Sequence, residues 1–276
     1  MMFYPRSNET ACKWKDYTVI LPAVSVGNVG QLAVDLIVSS LSMESVGYLY
    51  DDSILPVIGN DPYTQDKYAL STACEVYQST EHKLVVVQQR SPLVKGKRNQ
   101  FVTKLAKWLK VSEFSQVVLL TSTFSHERLD VQMIGCQERF LATKLMEEKL
   151  GKKLREELKW KELEKRPSFP APAPLMEQAP SSQNSTLQAT SYLPGGGIAK
   201  SLLEECEKMD IPLLVVSTFC SEGDNVPDAL RLASHLNTWL HLVKPGSAGD
   251  TSQGGWVTPS SWQHLFGSTF DQMLYQ

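Results

Sequence analysis

The chain has 276 residues, of which 42% are hydrophobic and 21% charged, close to the average for globular proteins. Its 27 Lys and Arg residues against 30 Asp and Glu residues give a net charge of −3, which excludes a surface built wholly for nucleic acid. No apolar run reaches the roughly 18 residues of a membrane span, and the first residues lack a secretory-signal pattern. The five cysteines stand singly, so we expect reduced thiols inside the cell rather than disulfides or a metal site.

The first half of the chain alternates between strand-like and helix-like patterns. Short apolar runs predict strands at residues 17–24, 46–50, 54–58, 73–77, 83–89 and 116–121. Apolar residues at helical spacing predict two helices, marked by Leu32, Leu36, Ile37 and Leu41 and by Phe101, Leu105, Trp108 and Leu109. The strand, glycine turn and helix at residues 17–41 are typical of the start of a β–α–β unit.

Residues 141–166 are predicted to form one amphipathic helix. Leucine recurs in them every four or five residues among many Lys and Glu residues. Opposite charges four residues apart, such as Glu157 and Lys161, favour this helix. A scaffold that binds partners through the helix is one hypothesis, but a helix packed along one stripe and solvated on the other is favoured.

A flexible Pro/Ser-rich insertion is predicted at about residues 167–191, which hold five of the 15 prolines. A glycine turn then opens a helix, and residues 211–219 read as a buried strand. Residues 225–243 are predicted to form a long helix capped by Asn225, with Asp228 completing a capping box and Pro227 in the first turn. The aromatic and apolar residues that follow should pack on the body; they are Trp256, Trp262, Leu265 and Phe266.

Alternating strands and helices predict an α/β fold, a three-layer sandwich with a mainly parallel central sheet and helices on both faces. We expect a single domain over residues 1–276, interrupted by the insertion at about 167–191 and ending in a tail at about 268–276.

Two glycine turns could bind a nucleotide. GGGIAKS at 195–201 has Ala199 where a phosphate-binding loop needs glycine, so a tight turn before a helix is the favoured interpretation. The turn Gly27–Gly30 lacks a full dinucleotide fingerprint, although Asp51 and Asp52 follow a predicted strand at about the expected distance.

Residues 122–130 are a second candidate site, because Ser122, Ser125, His126 and Asp130 could supply a nucleophile, a base and an orienting acid. No Gly-x-Ser-x-Gly elbow presents a serine, and a polar loop is expected here in any case. An alternative hypothesis for the whole chain is a phosphorylase- or hydrolase-like α/β enzyme that uses these residues and the glycine turns.

Other ionisable residues have simpler interpretations. The carboxylates Glu222, Asp224 and Asp228 could bind Mg²⁺ or do acid–base chemistry, but such residues are also favoured where a helix begins. The histidines are dispersed, and His235 and His241 do not share one helix face.

The chain ends in Leu274, Tyr275 and Gln276, a hydrophobic-Tyr-X sequence. A free carboxylate beside an aliphatic and an aromatic side chain can dock as a peptide: the carboxylate pairs with a buried lysine while the side chains fill a groove.

Five ordered segments together resemble the proteasome assembly chaperone family: PAVSVGNVGQLAVDLI at 22–37, IGNDPY at 58–63, LPGGGIAKSL at 193–202, SEGDNVPDAL at 221–230 and PSSWQHLFGS at 259–268. The resemblance spans nearly the whole chain. The proline-rich insertion has no place in that pattern, as expected of a surface loop of variable length.

The resemblance implies an α/β chaperone that is not an enzyme and needs no cofactor. It implies a heterodimer with proteasome assembly chaperone 1, which promotes assembly of the 20S proteasome α-subunit ring on its outer face, in cytoplasm and nucleus. By the same resemblance, Leu274, Tyr275 and Gln276 would enter a pocket between α subunits. Neither nucleic acid nor a membrane is an expected partner.

Overall fold

An eight-stranded mixed sheet organises the chain. The computed structural model describes residues 1–7, 13–64, 66, 68–166, 192–244 and 255–264. Its strands are β1 (Met2–Pro5), β2 (Thr18–Pro22), β3 (Glu44–Tyr50), β4 (Ile58–Asn60), β5 (Leu70–Thr72), β6 (Cys74–Ser79), β7 (Leu84–Gln89), β8 (Gln116–Phe124), β9 (Glu138–Ala142) and β10 (Leu213–Cys220). Its helices are α1 (Val29–Ser40), α2 (Arg98–Val111), α3 (Lys144–Lys152), α4 (Ala199–Lys208) and α5 (Val226–Leu240).

The strand order in the large sheet is β1–β3–β6–β7–β2–β8–β10–β9. The four central strands, β7, β2, β8 and β10, pair in parallel. The flanking pairs are antiparallel, and β4 with β5 forms a separate two-stranded sheet. The predicted parallel sheet is thus confirmed for the centre of the molecule.

Side chains of the central strands alternate between two cores, because successive residues of a strand point to opposite faces. In β8, Val117 and Leu119 join one core while Val118 and Leu120 join the other. Helices α2 and α4 cover the first core, and α1 and α5 cover the second. This confirms the three-layer prediction and explains why the central strands are continuous apolar runs.

Helix α1 lies very close to the sheet at Gly30. A Cβ atom on Gly30 would lie 2.4 Å from the carbonyl oxygen of Leu120 in β8. The glycine in this turn is therefore required by the close approach of two backbones.

The predicted strand at 54–58 is wrong. Ile54 makes only an isolated bridge to Leu93, and the strand β4 begins at Ile58. Pro56 lies between them and has no N–H to donate, so a continuous ladder does not form there.

The single helix predicted over residues 141–166 is also wrong. The edge strand β9 ends at Ala142, α3 follows it, and a π-helical turn at Lys153–Glu157 ends the helical part. Lys159 then adopts a positive φ of 56°, which reverses the chain. Trp160 and Leu163 are buried beyond this reversal, so the leucine spacing reflects anchoring of an irregular segment.

Helix α5 is capped differently from the prediction. The side chain of Asn225 donates to the carbonyl oxygen of Ser221 at 2.8 Å and makes no cap hydrogen bond. Asp224, one residue earlier, accepts from the N–H of Val226 at 3.1 Å. Asp228 pairs with Arg231 instead of closing a capping box, while Pro227 lies in the first turn as predicted.

The predicted insertion at 167–191 lies outside the described residues. Among the described helices, none combines the length and apolar character needed to cross a bilayer.

We expect Gly30→Ala to destabilise the fold by about 1–3 kcal/mol, because the added methyl group must displace the backbone of β8 or α1. Urea unfolding measures this change. Gly59→Ala is the matched control, since nothing lies within 4 Å of a Cβ atom at that position. Equal stabilities of the two variants would contradict the close approach of helix and sheet.

Candidate functional site

The two glycine turns pack against each other at the carboxyl end of the central strands. The N–H of Val26 donates to the carbonyl oxygen of Gly195 at 2.9 Å. A Cβ atom on Gly197 would lie 2.4 Å from the carbonyl oxygen of Val24. Thr121 donates from its hydroxyl to the carbonyl oxygen of Gly196 at 3.1 Å. The glycines therefore serve backbone packing, as the favoured interpretation of GGGIAKS predicted.

The dinucleotide hypothesis fails on strand order. Asp51 and Asp52 follow β3, whereas the Gly27–Gly30 turn follows β2, and β6 and β7 lie between these strands. Three strand spacings separate β2 from β3 by about 14 Å, while the fingerprint needs neighbouring strands. Asp52 pairs instead with Lys97, just before α2, and with Lys104 of α2, at 3.0 and 2.5 Å.

Residues 122–130 do not assemble the predicted catalytic group. Ser122 is fully buried; its hydroxyl donates to the carbonyl oxygen of Val26 and lies 2.7 Å from the hydroxyl of Ser25. The hydroxyl of Ser125 lies 2.6 Å from that of Ser221. Within the described residues neither serine hydrogen-bonds to His126, whose ring packs against Phe124 at 5.0 Å. Asp130 begins a short 3₁₀ turn.

The acidic group at the start of α5 serves that helix. Asp224 caps it and Asp228 pairs with Arg231. In the described part of the chain, Glu222, Asp224 and Asp228 do not converge as a set of metal ligands.

A surface that the sequence analysis missed lies at the free edge of the sheet. Strand β1 pairs with β3 on one side, and no described strand pairs with its other side. Large hydrophobic side chains are exposed on β1, β3, β4, β5 and the segment between β3 and β4. We call them the β1–β5 surface; they are Met2, Tyr4, Tyr50, Leu55, Val57, Ile58 and Leu70.

A groove of about 500 Å³ runs through the β1–β5 surface. Tyr4 and Tyr50 form one wall, with ring centroids 6.4 Å apart. Pro56 and Val57 line the groove as well. Side chains this apolar are rarely grouped on the surface of a monomer, so the arrangement is suited to bind another protein.

A buried polar cluster holds the loop beside this surface. Asp35 of α1 accepts hydrogen bonds from the Tyr63 hydroxyl at 2.6 Å, from Gln88 at 2.7 Å and from Arg90 at 2.9 Å. Burial raises the pKa of Tyr63, so its hydroxyl remains a donor at neutral pH. The loop at 61–64 is thereby fixed to the body of the protein.

The C-terminal described segment, residues 255–264, lies on that same loop. Trp256 is buried and donates from its ring N–H to the hydroxyl of Ser234 at 3.0 Å. The N–H of Val257 donates to the hydroxyl of Ser40 at 2.8 Å, and that of Ser261 to the carbonyl oxygen of Pro62 at 3.1 Å.

Packing of the C-terminal aromatic residues is confirmed for Trp256 and Trp262, both of which contact the core beneath α1 and α5. Leu265 and Phe266 lie outside the described residues, as do the predicted docking residues Leu274, Tyr275 and Gln276. The ten residues from 265 to 274 can span at most about 35 Å.

The sequence profile of the PAC2 family matches residues 19–242, which is most of the chain. The chain belongs to the PAC2 family. Proteins of this family named proteasome assembly chaperone 2 are similar over nearly their full length. The one from Danio rerio is 41% identical over 272 residues, 98% of each chain. The one from Homo sapiens is 40% identical over 278 residues, 99% of this chain and 100% of the human protein.

Solved structures show the PAC2-family fold at lower sequence identity. PbaA from Pyrococcus furiosus, described as an archaeal homolog of proteasome-assembly chaperone, matches with a TM-score of 0.56 and 16% identity, over 82% of each chain. PbaB from the same organism, described as an archaeal proteasome activator, matches with a TM-score of 0.53 and 12% identity, over 87% of this chain and 88% of PbaB. These matches support the α/β sandwich.

We expect Trp256→Ala to release the C-terminal segment and to lower the free energy of unfolding by about 3–5 kcal/mol, because it empties a fully buried indole site. Urea unfolding and chymotrypsin cleavage after Trp262 report the two effects. Val257→Ala is the control, since that side chain is 52% exposed. If cleavage after Trp262 is equally fast in both variants, Trp256 does not anchor the segment.

Proposed function

We propose that this chain is a proteasome assembly chaperone. It forms a heterodimer with proteasome assembly chaperone 1 and promotes formation of the 20S α-subunit ring, docking on the outer face of that ring in cytoplasm and nucleus. The role is binding and escort, and it requires no catalytic residue or cofactor.

One observation carries this proposal: about 40% identity to curated proteasome assembly chaperones over nearly the whole chain. The structure adds a reason to favour binding over catalysis. The hydroxyl groups of Thr121, Ser122 and Thr123 donate to backbone carbonyl groups, whereas the β1–β5 surface presents apolar side chains to solvent.

We assign the hydrophobic-Tyr-X tail to a pocket between α subunits. A three-residue peptide binds weakly by itself, because ordering a flexible end offsets much of its contact energy. Attached to a chaperone that also touches the ring surface, it gains about 10²- to 10⁴-fold in avidity.

We assign the β1–β5 surface to the partner chaperone. A free sheet edge pairs best with another strand, and a related chain of the same fold carries an equivalent edge. The seven exposed hydrophobic side chains around the edge are of the kind that form the apolar centre of a standard interface of about 800 Å² per partner.

Tyr275→Ala should lower the recovery of α-type proteasome subunits about 10-fold or more in a pull-down from cell extract, because the ring loses its aromatic anchor. Recovery of proteasome assembly chaperone 1 should not change. Gln272→Ala, in the same tail but outside the last three residues, is the control. Undiminished capture of α subunits by Tyr275→Ala would remove the tail from the mechanism.

Tyr50→Glu should reduce co-purification of proteasome assembly chaperone 1 about 10-fold or more, because it places a charge in the centre of the proposed interface. Tyr50 is 65% exposed, so stability should stay within about 0.5 kcal/mol of the wild type. Val111→Glu is the matched control: Val111 is 82% exposed at the end of α2, away from the β1–β5 surface. Partner recovery that is equal in both variants places the interface elsewhere.

If the wild-type chain recovers neither α subunits nor a second chaperone, the proposed function itself fails. This outcome is distinct from failure of either assigned surface, since each variant tests one surface against a functional wild type.

A further inference from the structure

Three potential metal ligands converge at the start of the edge strand β9, although one of them is far from the other two in the sequence. Cys136 lies in the loop before β9, Glu138 is its first residue, and His235 lies on α5. Their ligand atoms all lie within 4.8 Å of one another. Within the described residues they are the one such group of three.

The carboxylate of Glu138 lacks a close positive partner. Glu138 is 6% exposed, and burial of an anion is costly unless it is well paired. Its oxygens accept from the Cys136 thiol at 2.9 Å and from the Thr218 hydroxyl at 3.3 Å. Among the described residues the nearest cation is Arg231, whose Nε lies 3.8 Å away and whose guanidinium also binds Asp228.

His235 is half-buried, and its ring can offer a nitrogen to a metal ion. The ring stacks on Trp160, with centroids 4.1 Å apart and planes 27° apart. In the described part of the chain its ring nitrogens have no hydrogen-bond partner, whereas Trp160 and Thr238 fix the helix around it.

We propose that Cys136, Glu138 and His235 form a Zn²⁺-binding site. A thiolate and an imidazole favour zinc over magnesium or calcium. Around tetrahedral zinc the three ligand atoms lie about 3.3–3.8 Å apart. Side-chain rotations that move these atoms by about an ångström are therefore enough to close the site. Cys136 is exposed, which gives the ion access and leaves the fourth position to water. When zinc binds, the thiol loses to solvent the proton that it donates to Glu138.

Zinc at this site would join the loop at 133–137 to helix α5. Met133 and Ile134 of that loop are 56% and 82% exposed, and Gly135 has a positive φ of 90°. The ion would thus order an exposed apolar loop. This inference does not depend on the proposed function, since it concerns a different part of the chain.

The test is a titration of the reduced, chelator-treated full-length chain with Zn²⁺, in competition with a chromophoric chelator. Co²⁺ is the spectroscopic substitute, because a thiolate ligand adds a charge-transfer band in the near ultraviolet. We expect one ion per chain, a Zn²⁺-dependent rise in melting temperature, and protection of Cys136 from alkylation mapped by mass spectrometry.

Cys136→Ser should abolish the charge-transfer band, and both Cys136→Ser and His235→Gln should weaken Zn²⁺ binding by at least about 10-fold. His126→Gln, a histidine outside the cluster, should bind as the wild type does. Serine can still donate to Glu138, so Cys136→Ser should fold; circular dichroism checks this. Absence of saturable binding by the wild type overturns the proposal. So does a band or an affinity that is unchanged in Cys136→Ser.

Discussion

Burial of the central strands on both faces is the constraint on which the rest of the structure depends. Because β7, β2, β8 and β10 have helices on each side, a polar side chain in the middle of these strands is costly unless it has a hydrogen-bond partner. The polar and glycine residues gather where the strands end. Thr121 and Ser122 donate to backbone carbonyl groups there, and the hydroxyl of Ser25 lies 2.7 Å from that of Ser122. A region that resembles a catalytic pocket in sequence is therefore a packed joint between two turns.

The antiparallel strands at one flank of the sheet are not buried on both faces in this way. Strands β1 and β3 are covered less completely than the centre, and Tyr4 and Tyr50 can project into solvent. At the opposite flank of the sheet, Cys136 and Glu138 lie close to His235 of helix α5. Both candidate binding regions lie at the flanks, where side chains are exposed without loss of the core.

The features that could be predicted from sequence are those set by local burial. The apolar runs of β2, β8 and β10, and the helical spacing of α1 and α2, each follow from one buried pattern. The prediction of one helix over 141–166 was wrong because Trp160 and Leu163 are held by contacts with distant parts of the chain, which leucine spacing does not reveal. Asp224 caps helix α5 in place of Asn225. The β1–β5 surface and the Cys136 cluster depend on long-range neighbours, which a single sequence does not show.

The two edges of the sheet have different consequences for assembly. At β9, Phe140 exchanges backbone hydrogen bonds with the returning segment, donating to Lys161 and accepting from Leu163, each at 3.0 Å. The chain thereby occupies the middle of one edge itself, while no described segment pairs with the second side of β1. A subunit with two open edges can add neighbours without limit and form fibres. A subunit with one open edge can take a single neighbour, and pairing through β1 stops at two chains.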